Sequence, residues 1–208
     1  EIQDVSVVWR MDPEKELQNP IPTGKKLTNE MLDLVSELIL TQDGKNRIKV
    51  FQTFFEAINK TNASNSGQSV NLERVALQAN TCYIIHKTFS LLLAQKKSFP
   101  PEQQQLVNML QQFISSLFCN ADTAFRRMSA QIIGQLCAIQ GPIFTERQLA
   151  IVLGVLKDNK DTQTKACFTL VLGSILRSLG SMQSGRHLTT VVTTLHGILK
   201  DPQPMLLI

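Results

Sequence analysis

Aspartates recur in the turns that separate the amphipathic segments of this chain. The turns span residues 41–44, 119–122, 157–160 and 200–203, and their aspartates are Asp43, Asp122, Asp158 and Asp201. The last three aspartates lie 36 and 43 residues apart, and the first three turns each lead into another helical segment. A period of roughly 40 residues predicts a solenoid of helix pairs, in which each pair packs on its neighbours.

Apolar residues at helical spacing predict about eight helices and no strand. We expect these helices at residues 28–40, 45–60, 72–95, 102–118, 121–139, 146–156, 161–179 and 186–199. The predicted fold class is all-α, a HEAT/armadillo-like α-solenoid whose helices pair around the aspartate turns. The chain stops at an apolar segment, residues 205–208, where a solenoid end normally has a polar cap. We therefore expect a fragment of a longer repeat protein.

The pattern divides the chain into four regions. Three prolines predict an extended N-terminal arm over residues 1–26, with Val7 and Trp9 as anchors onto the solenoid. Residues 27–60 are expected to form a HEAT-like helix pair, and residues 61–70 a flexible polar loop. Residues 71–208 are expected to form further HEAT-like repeats, of which the last is truncated.

Three local expectations concern side chains and turns. The stripe of Met31, Leu34, Val35 and Leu38 is expected to bury the first helix. Each turn aspartate is expected to accept amides of the following helix and to join a ladder with a cation of a neighbouring repeat. The cations are Arg47, Arg126 or Arg127, and Lys165. Residues 180–185 are expected to form a tight inter-repeat turn with Gly180 as a helix cap, and anion binding there is the alternative.

The charge pattern favours a protein partner over a nucleic acid. Lys and Arg number 21 against 17 Asp and Glu, and the cations are dispersed instead of forming a dense block. Four cations are candidates for a basic ridge that binds a partner: Lys157, Lys160, Lys165 and Arg186. The alternative for these residues is an ordinary solvated turn.

No arrangement typical of an enzyme, a metal site or a cofactor site is found. The cysteines Cys82, Cys119, Cys137 and Cys167 form no C-x-x-C pair, so we expect reduced structural thiols. His86 falls in an apolar stripe and is expected to be a core residue, and neither His187 nor His196 has a nucleophile at catalytic spacing. The longest apolar run is short of the ~18–20 residues of a membrane span.

Two stretches carry a resemblance to a known family. Residues 125–136 place a cation before small and apolar residues, as in the second helix of a HEAT unit. Residues 164–188 run from a Leu-Gly-rich helix into a segment that ends Ser184-Gly185-Arg186-His187-Leu188. In this respect the chain resembles the HEAT-repeat-containing protein five family, which is similar to the yeast large accessory protein of the clathrin adaptor. The resemblance extends over residues 71–200.

The resemblance implies a function that the residues alone do not. Members of the family are large cytosolic α-solenoids without enzymatic activity. They assist clathrin-adaptor traffic between endosomes and the trans-Golgi network, at membranes to which partners bring them. The expected partners are the clathrin adaptor complex or its accessory proteins, with self-association also open. The alternatives are a nuclear transport receptor or other HEAT-type cargo carrier, and a helical region of a large kinase.

Overall fold

Regular structure in the computed structural model is helical throughout the described residues, 29–63 and 67–200. The helices are α1 Asn29–Thr41, α2 Gly44–Ala63, α3 Gly67–Ala94, α4 Gln104–Ser116, α5 Thr123–Gln140, α6 Pro142–Asp158 and α7 Thr162–Leu199. A short 3-10 helix, Pro101–Gln103, leads into α4. The all-α fold class is confirmed for this part of the chain. The predictions for the arm at 1–26 with Val7 and Trp9, for Asp201 and for residues 205–208 lie outside it.

The described residues form two compact units. The first contains α1, α2, α3 and α4 as far as Phe113, and the second contains α5, α6 and α7. In the first unit α3 packs on both α1 and α2. Its side chains are buried on several sides, as Ile84, Ile85 and Phe89 illustrate. Helix α3 is therefore buried between its neighbours in this unit.

The first helix buries a different face from the predicted one. Met31, Leu34 and Leu38 are each at least half exposed, whereas Leu32, Ser36 and Ile39 are buried. Both sets follow helical spacing, so periodicity alone does not distinguish them.

Polar contacts with α3 select the buried face of α1. The Ser36 hydroxyl donates to the Leu32 carbonyl oxygen at 2.8 Å and lies 3.4 Å from the Ile84 carbonyl oxygen. Asp33 accepts hydrogen bonds from Tyr83 at 2.9 Å and from Lys87 at 2.8 Å. These contacts turn the Ser36 side of α1 toward α3 and leave the Met31 side in solvent.

The predicted polar loop at 61–70 is mostly helical. Helix α2 continues to Ala63 and α3 begins at Gly67, while residues 64–66 lie outside the described residues. Asn, Ser and Thr cost only a few tenths of a kcal/mol more than alanine in a helix, roughly 0.5 kcal/mol. Packing of the adjoining turns is therefore enough to extend both helices into a segment whose composition favours a loop.

In the second unit α7 packs on both α5 and α6. Arg126 near the start of α5 lies close enough to Cys167 to affect its pKa. Further along, a side chain at Gly134 would meet the backbone oxygen of Ser174. Each pair is separated by about 40 residues, so α5 and α7 run side by side in the same direction.

The second unit lacks the predicted turn at residues 180–185. Helix α7 runs unbroken from Thr162 to Leu199, so two predicted helices are one and Gly180 is not a helix cap. Among the described glycines, Gly141 alone has a positive φ, at 80°. Glycine within a helix costs about 1 kcal/mol but does not end it without such a conformation or a proline.

The close approach of α5 to α7 generates a prediction. An added Cβ at Gly134 would lie 2.8 Å from the Ser174 backbone oxygen, whereas Gly154 has nothing within 4 Å. Gly134→Ala is expected to destabilise the protein by about 1–3 kcal/mol, because the backbone of α5 or α7 must move to make room for the added methyl group. Gly154→Ala, the control, is expected to stabilise it by about 0.5–1 kcal/mol through helix propensity. Urea unfolding measures both, and stabilisation by Gly134→Ala would contradict the packing described.

Candidate functional site

The first helix corner joins α1 to α2 and satisfies backbone groups on both of its sides. Asp43 Oδ1 accepts the backbone amide of Asn46 at 2.8 Å, at the start of α2. Arg47 donates through Nε to the Ile39 oxygen at 3.1 Å and through Nη2 to the Leu40 oxygen at 2.6 Å. An acid thus caps the amides of the second helix, while the cation four residues later caps carbonyls of the first.

A second corner, before α5, has the same chemistry. Asp122 Oδ1 accepts the Ala124 amide at 2.7 Å. Arg126 donates through Nη1 to the Asn120 and Ala121 carbonyl oxygens at 2.7 and 2.8 Å. The Asn120 side chain accepts the Asp122 amide at 2.9 Å, which closes the turn. The predicted capping role of Asp43 and Asp122 is therefore confirmed.

At the third corner the capping aspartate is Asp161, not the predicted Asp158. Asp158 is the last residue of α6. Asp161 Oδ2 accepts the Thr164 amide at 2.8 Å at the start of α7, and Asn159 accepts the Asp161 amide at 2.8 Å. Helix α6 extends beyond its predicted end at residue 156, which moves the corner three residues along the chain.

The sequence does carry a signal for this register. Residues 120–126 read Asn-Ala-Asp-Thr-Ala-Phe-Arg and residues 159–165 read Asn-Lys-Asp-Thr-Gln-Thr-Lys. Both follow Asn-x-Asp-Thr-x-x-cation, at an offset of 39 residues. Arg47 and Arg126 were expected to pair with aspartates of neighbouring repeats. In the structure they donate instead to carbonyl oxygens of their own corners.

The four candidate ridge cations do not all lie together. Lys157 at the end of α6 and Lys160 in the turn are exposed, and Lys165 in the first turn of α7 is half-buried. Arg186 is exposed but lies 21 residues beyond Lys165 on the same helix, about 32 Å along its axis. Lys157, Lys160 and Lys165 therefore lie around one corner, called here the basic corner, which also carries the exposed Asp158 and Asp161 and from which Arg186 is remote.

Burial holds the perturbed histidine and core thiols in their neutral forms. Burial, with the adjacent Lys87, lowers the pKa of the half-buried His86 to about 4. Burial raises the pKa of Cys137 to about 12, against an opposing hydrogen bond with Thr145, and also raises the pKa of Cys82. The core thiols are therefore not activated as nucleophiles at neutral pH.

Residues 29–63 and 67–200 contain neither a candidate metal site nor a candidate membrane span. No three His, Cys, Asp or Glu side chains there are grouped so as to hold a metal ion. No helix in those ranges has the length and apolarity needed to cross a membrane. Comparison of the chain with protein-family models found no match, and neither did comparison with solved structures.

The register of the third corner is testable with a matched pair of variants. Asp161→Ala removes the acceptor of the Thr164 amide and is expected to lower the urea midpoint. Asp158→Ala removes the same charge from the end of α6, where a carboxylate opposes the helix dipole, and is expected to leave the midpoint unchanged or slightly higher. If Asp158→Ala lowered the urea midpoint more than Asp161→Ala, Asp158 would be the cap, as the turn pattern predicted.

The same pair should respond differently to pH. Hydrogen bonds from the Thr164 hydroxyl and amide lower the pKa of Asp161 below its usual value. A lowered pKa in the folded state means that the cap stabilises fully above the ordinary aspartate pKa and stops doing so as the pH falls through the lowered pKa. The difference in free energy of unfolding between the wild type and Asp161→Ala, measured by urea unfolding, should therefore become smaller as the pH falls through the lowered pKa.

Proposed function

We propose that this chain is a non-enzymatic scaffold that binds protein partners. The observation that carries the proposal is the repetition of one corner, Asn-x-Asp-Thr-x-x-cation, at the starts of α5 and α7. Because these two helices run side by side, their corners lie at the same end of the second unit. A repeated corner presents side chains at regular intervals, which is how helical repeats build extended binding surfaces.

The basic corner of Lys157, Lys160 and Lys165 is the partner-binding surface that we propose. Its two exposed lysines lie at the end of α6 and in the turn that follows, where long side chains reach solvent without breaking core contacts. Complementary charge attracts acidic segments and speeds their association. The partner is accordingly expected to present Asp- and Glu-rich sequence to this corner.

The burial-driven pKa shifts of three groups fit the non-enzymatic part of the proposal. The perturbed groups His86, Cys82 and Cys137 are all shifted by burial toward their neutral forms. Catalytic groups usually have their pKa values shifted toward the state that the reaction uses. Here the shifts follow from packing in the core.

The cellular role that we propose is clathrin-adaptor traffic between endosomes and the trans-Golgi network. This assignment rests on the resemblance in residues 125–136 and 164–188. Both stretches lie on α5 and α7, the two helices that pack side by side in the second unit. The partners would be the clathrin adaptor complex or its accessory proteins, and attachment to membranes would be peripheral and mediated by them.

Affinity purification with the 208-residue chain as bait tests both parts of the proposal. Lys157→Glu/Lys160→Glu reverses the basic corner, and Lys45→Glu/Lys49→Glu makes the same charge change at exposed positions of α2. We expect clathrin-adaptor or accessory subunits with wild type and the α2 variant, and about tenfold weaker binding, ~1.4 kcal/mol, with the corner variant. Equal binding by both variants would contradict the proposed surface. Recovery of import cargo or nucleoporins instead would contradict the trafficking role.

A further inference from the structure

Two of the four cysteines face each other across the second unit. Cys119 lies in the turn that follows α4 and is exposed, whereas Cys167 lies in α7 and is only 3% exposed. Cys119 lies close enough to Cys167 for its side chain to help raise the pKa of the Cys167 thiol, although the residues are 48 positions apart in sequence. Cys82 and Cys137 are buried elsewhere in the core at 1% and 0% exposure.

The surroundings of this thiol pair hold it in place. Phe118 and Phe168, the residues adjacent to the two cysteines, are in edge-to-face contact with ring centroids 5.7 Å apart. The turn that carries Cys119 is closed by a hydrogen bond from the Asn120 amide to the Leu117 oxygen at 3.1 Å. Arg126 fixes the same turn from the other side through the Asn120 carbonyl oxygen. The encounter of the two thiols is therefore part of the packed structure.

We propose that Cys119 and Cys167, which follow and precede the contacting rings of Phe118 and Phe168, form an oxidisable dithiol that a peroxide converts into a disulfide between the turn after α4 and α7. The site is independent of the proposed partner-binding corner. It is a modification site for the peroxide class of oxidants, and the four-cysteine pattern of the sequence does not reveal it.

The reaction has two steps. The Cys119 sulfur attacks one peroxide oxygen, the O–O bond breaks, and Cys119 sulfenic acid and one water form. The Cys167 sulfur then attacks the Cys119 sulfur, the S–O bond breaks, and a second water leaves as the disulfide forms. Two thiols together lose two electrons and two protons, and hydrogen peroxide is reduced to two waters.

Exposure determines which cysteine reacts first. Cys119 is accessible to a dissolved oxidant, and Cys167 is not. Burial, and then the neighbouring Cys119, raise the pKa of Cys167 to about 11, although Arg126 opposes the shift. A buried thiol that stays protonated at neutral pH reacts poorly with a dissolved oxidant. Cys167 is therefore the resolving thiol, reached only from Cys119.

Peptide mapping after mild oxidation tests the proposal. The folded full chain is treated with equimolar hydrogen peroxide, free thiols are alkylated, and the digest is read by mass spectrometry. We expect one linked peptide pair, Cys119 with Cys167, lacking two hydrogens, and an increase in Tm because the bridge closes a long loop. Cys82 and Cys137 should remain free and become alkylated only after unfolding.

Two variants separate the steps. Cys167→Ser leaves no resolving thiol and should accumulate sulfenic acid at Cys119, trapped by dimedone, whereas Cys137→Ser should form the linked pair as wild type does. Wild-type mapping decides the matter even if a variant fails to fold. Trapped sulfenic acid at Cys119 without any Cys119–Cys167 peptide would overturn the proposal, as would Cys119–Cys119 dimers formed between chains in its place.

Discussion

Helix ends are the constraint on which this fold depends. Each α-helix leaves its first amides and last carbonyls without intrahelical partners, and short connections bring such ends close together. At the corners before α2 and α5, an aspartate accepts the amides, and an arginine four residues later donates to the carbonyls before them. One acid and one cation thus satisfy backbone groups at each corner: Arg47 donates to the last carbonyls of α1, and Arg126 donates to carbonyls of the turn itself.

The packing of the second unit follows from these corners. With their starts fixed by Asp122 and Asp161, α5 and α7 run side by side closely enough that only glycine fits at position 134. The same register brings Phe118 to Phe168 and Cys119 to Cys167. The proximity of the two thiols is therefore a consequence of the corner geometry.

The sequence predicted the all-α class, most helix bounds and the caps Asp43 and Asp122, because these depend on local spacing. It failed where two local solutions were equally good. Helical spacing fits both faces of α1, and contacts of Asp33 and Ser36 with α3 select between them. Asp158 and Asp161 lie three residues apart; the Asn-x-Asp-Thr spacing marks Asp161, and α6 extends through Asp158, so Asp161 caps α7.

The remaining differences come from tertiary packing. The stretch at 180–185 is helical and has no glycine with a positive φ, and the continuity of α7 separates Arg186 from the basic corner. Residues 164–188, which carry the family resemblance, thus form helix where a turn was expected. The resemblance therefore rests on residue identities and not on a shared turn. The Cys119–Cys167 pair spans 48 residues and has no local signature, so periodicity analysis could not find it.

The most direct test of this account is the stability of two adjacent arginine variants. Arg126 donates three hydrogen bonds within its corner, whereas Arg127 is exposed. Both Arg126→Gln and Arg127→Gln remove one charge from the same turn of α5. Urea unfolding should show a loss of about 1–3 kcal/mol for Arg126→Gln and a change within about 0.5 kcal/mol for Arg127→Gln. Equal losses in the two variants would contradict the claim that the carbonyl cap holds the corner.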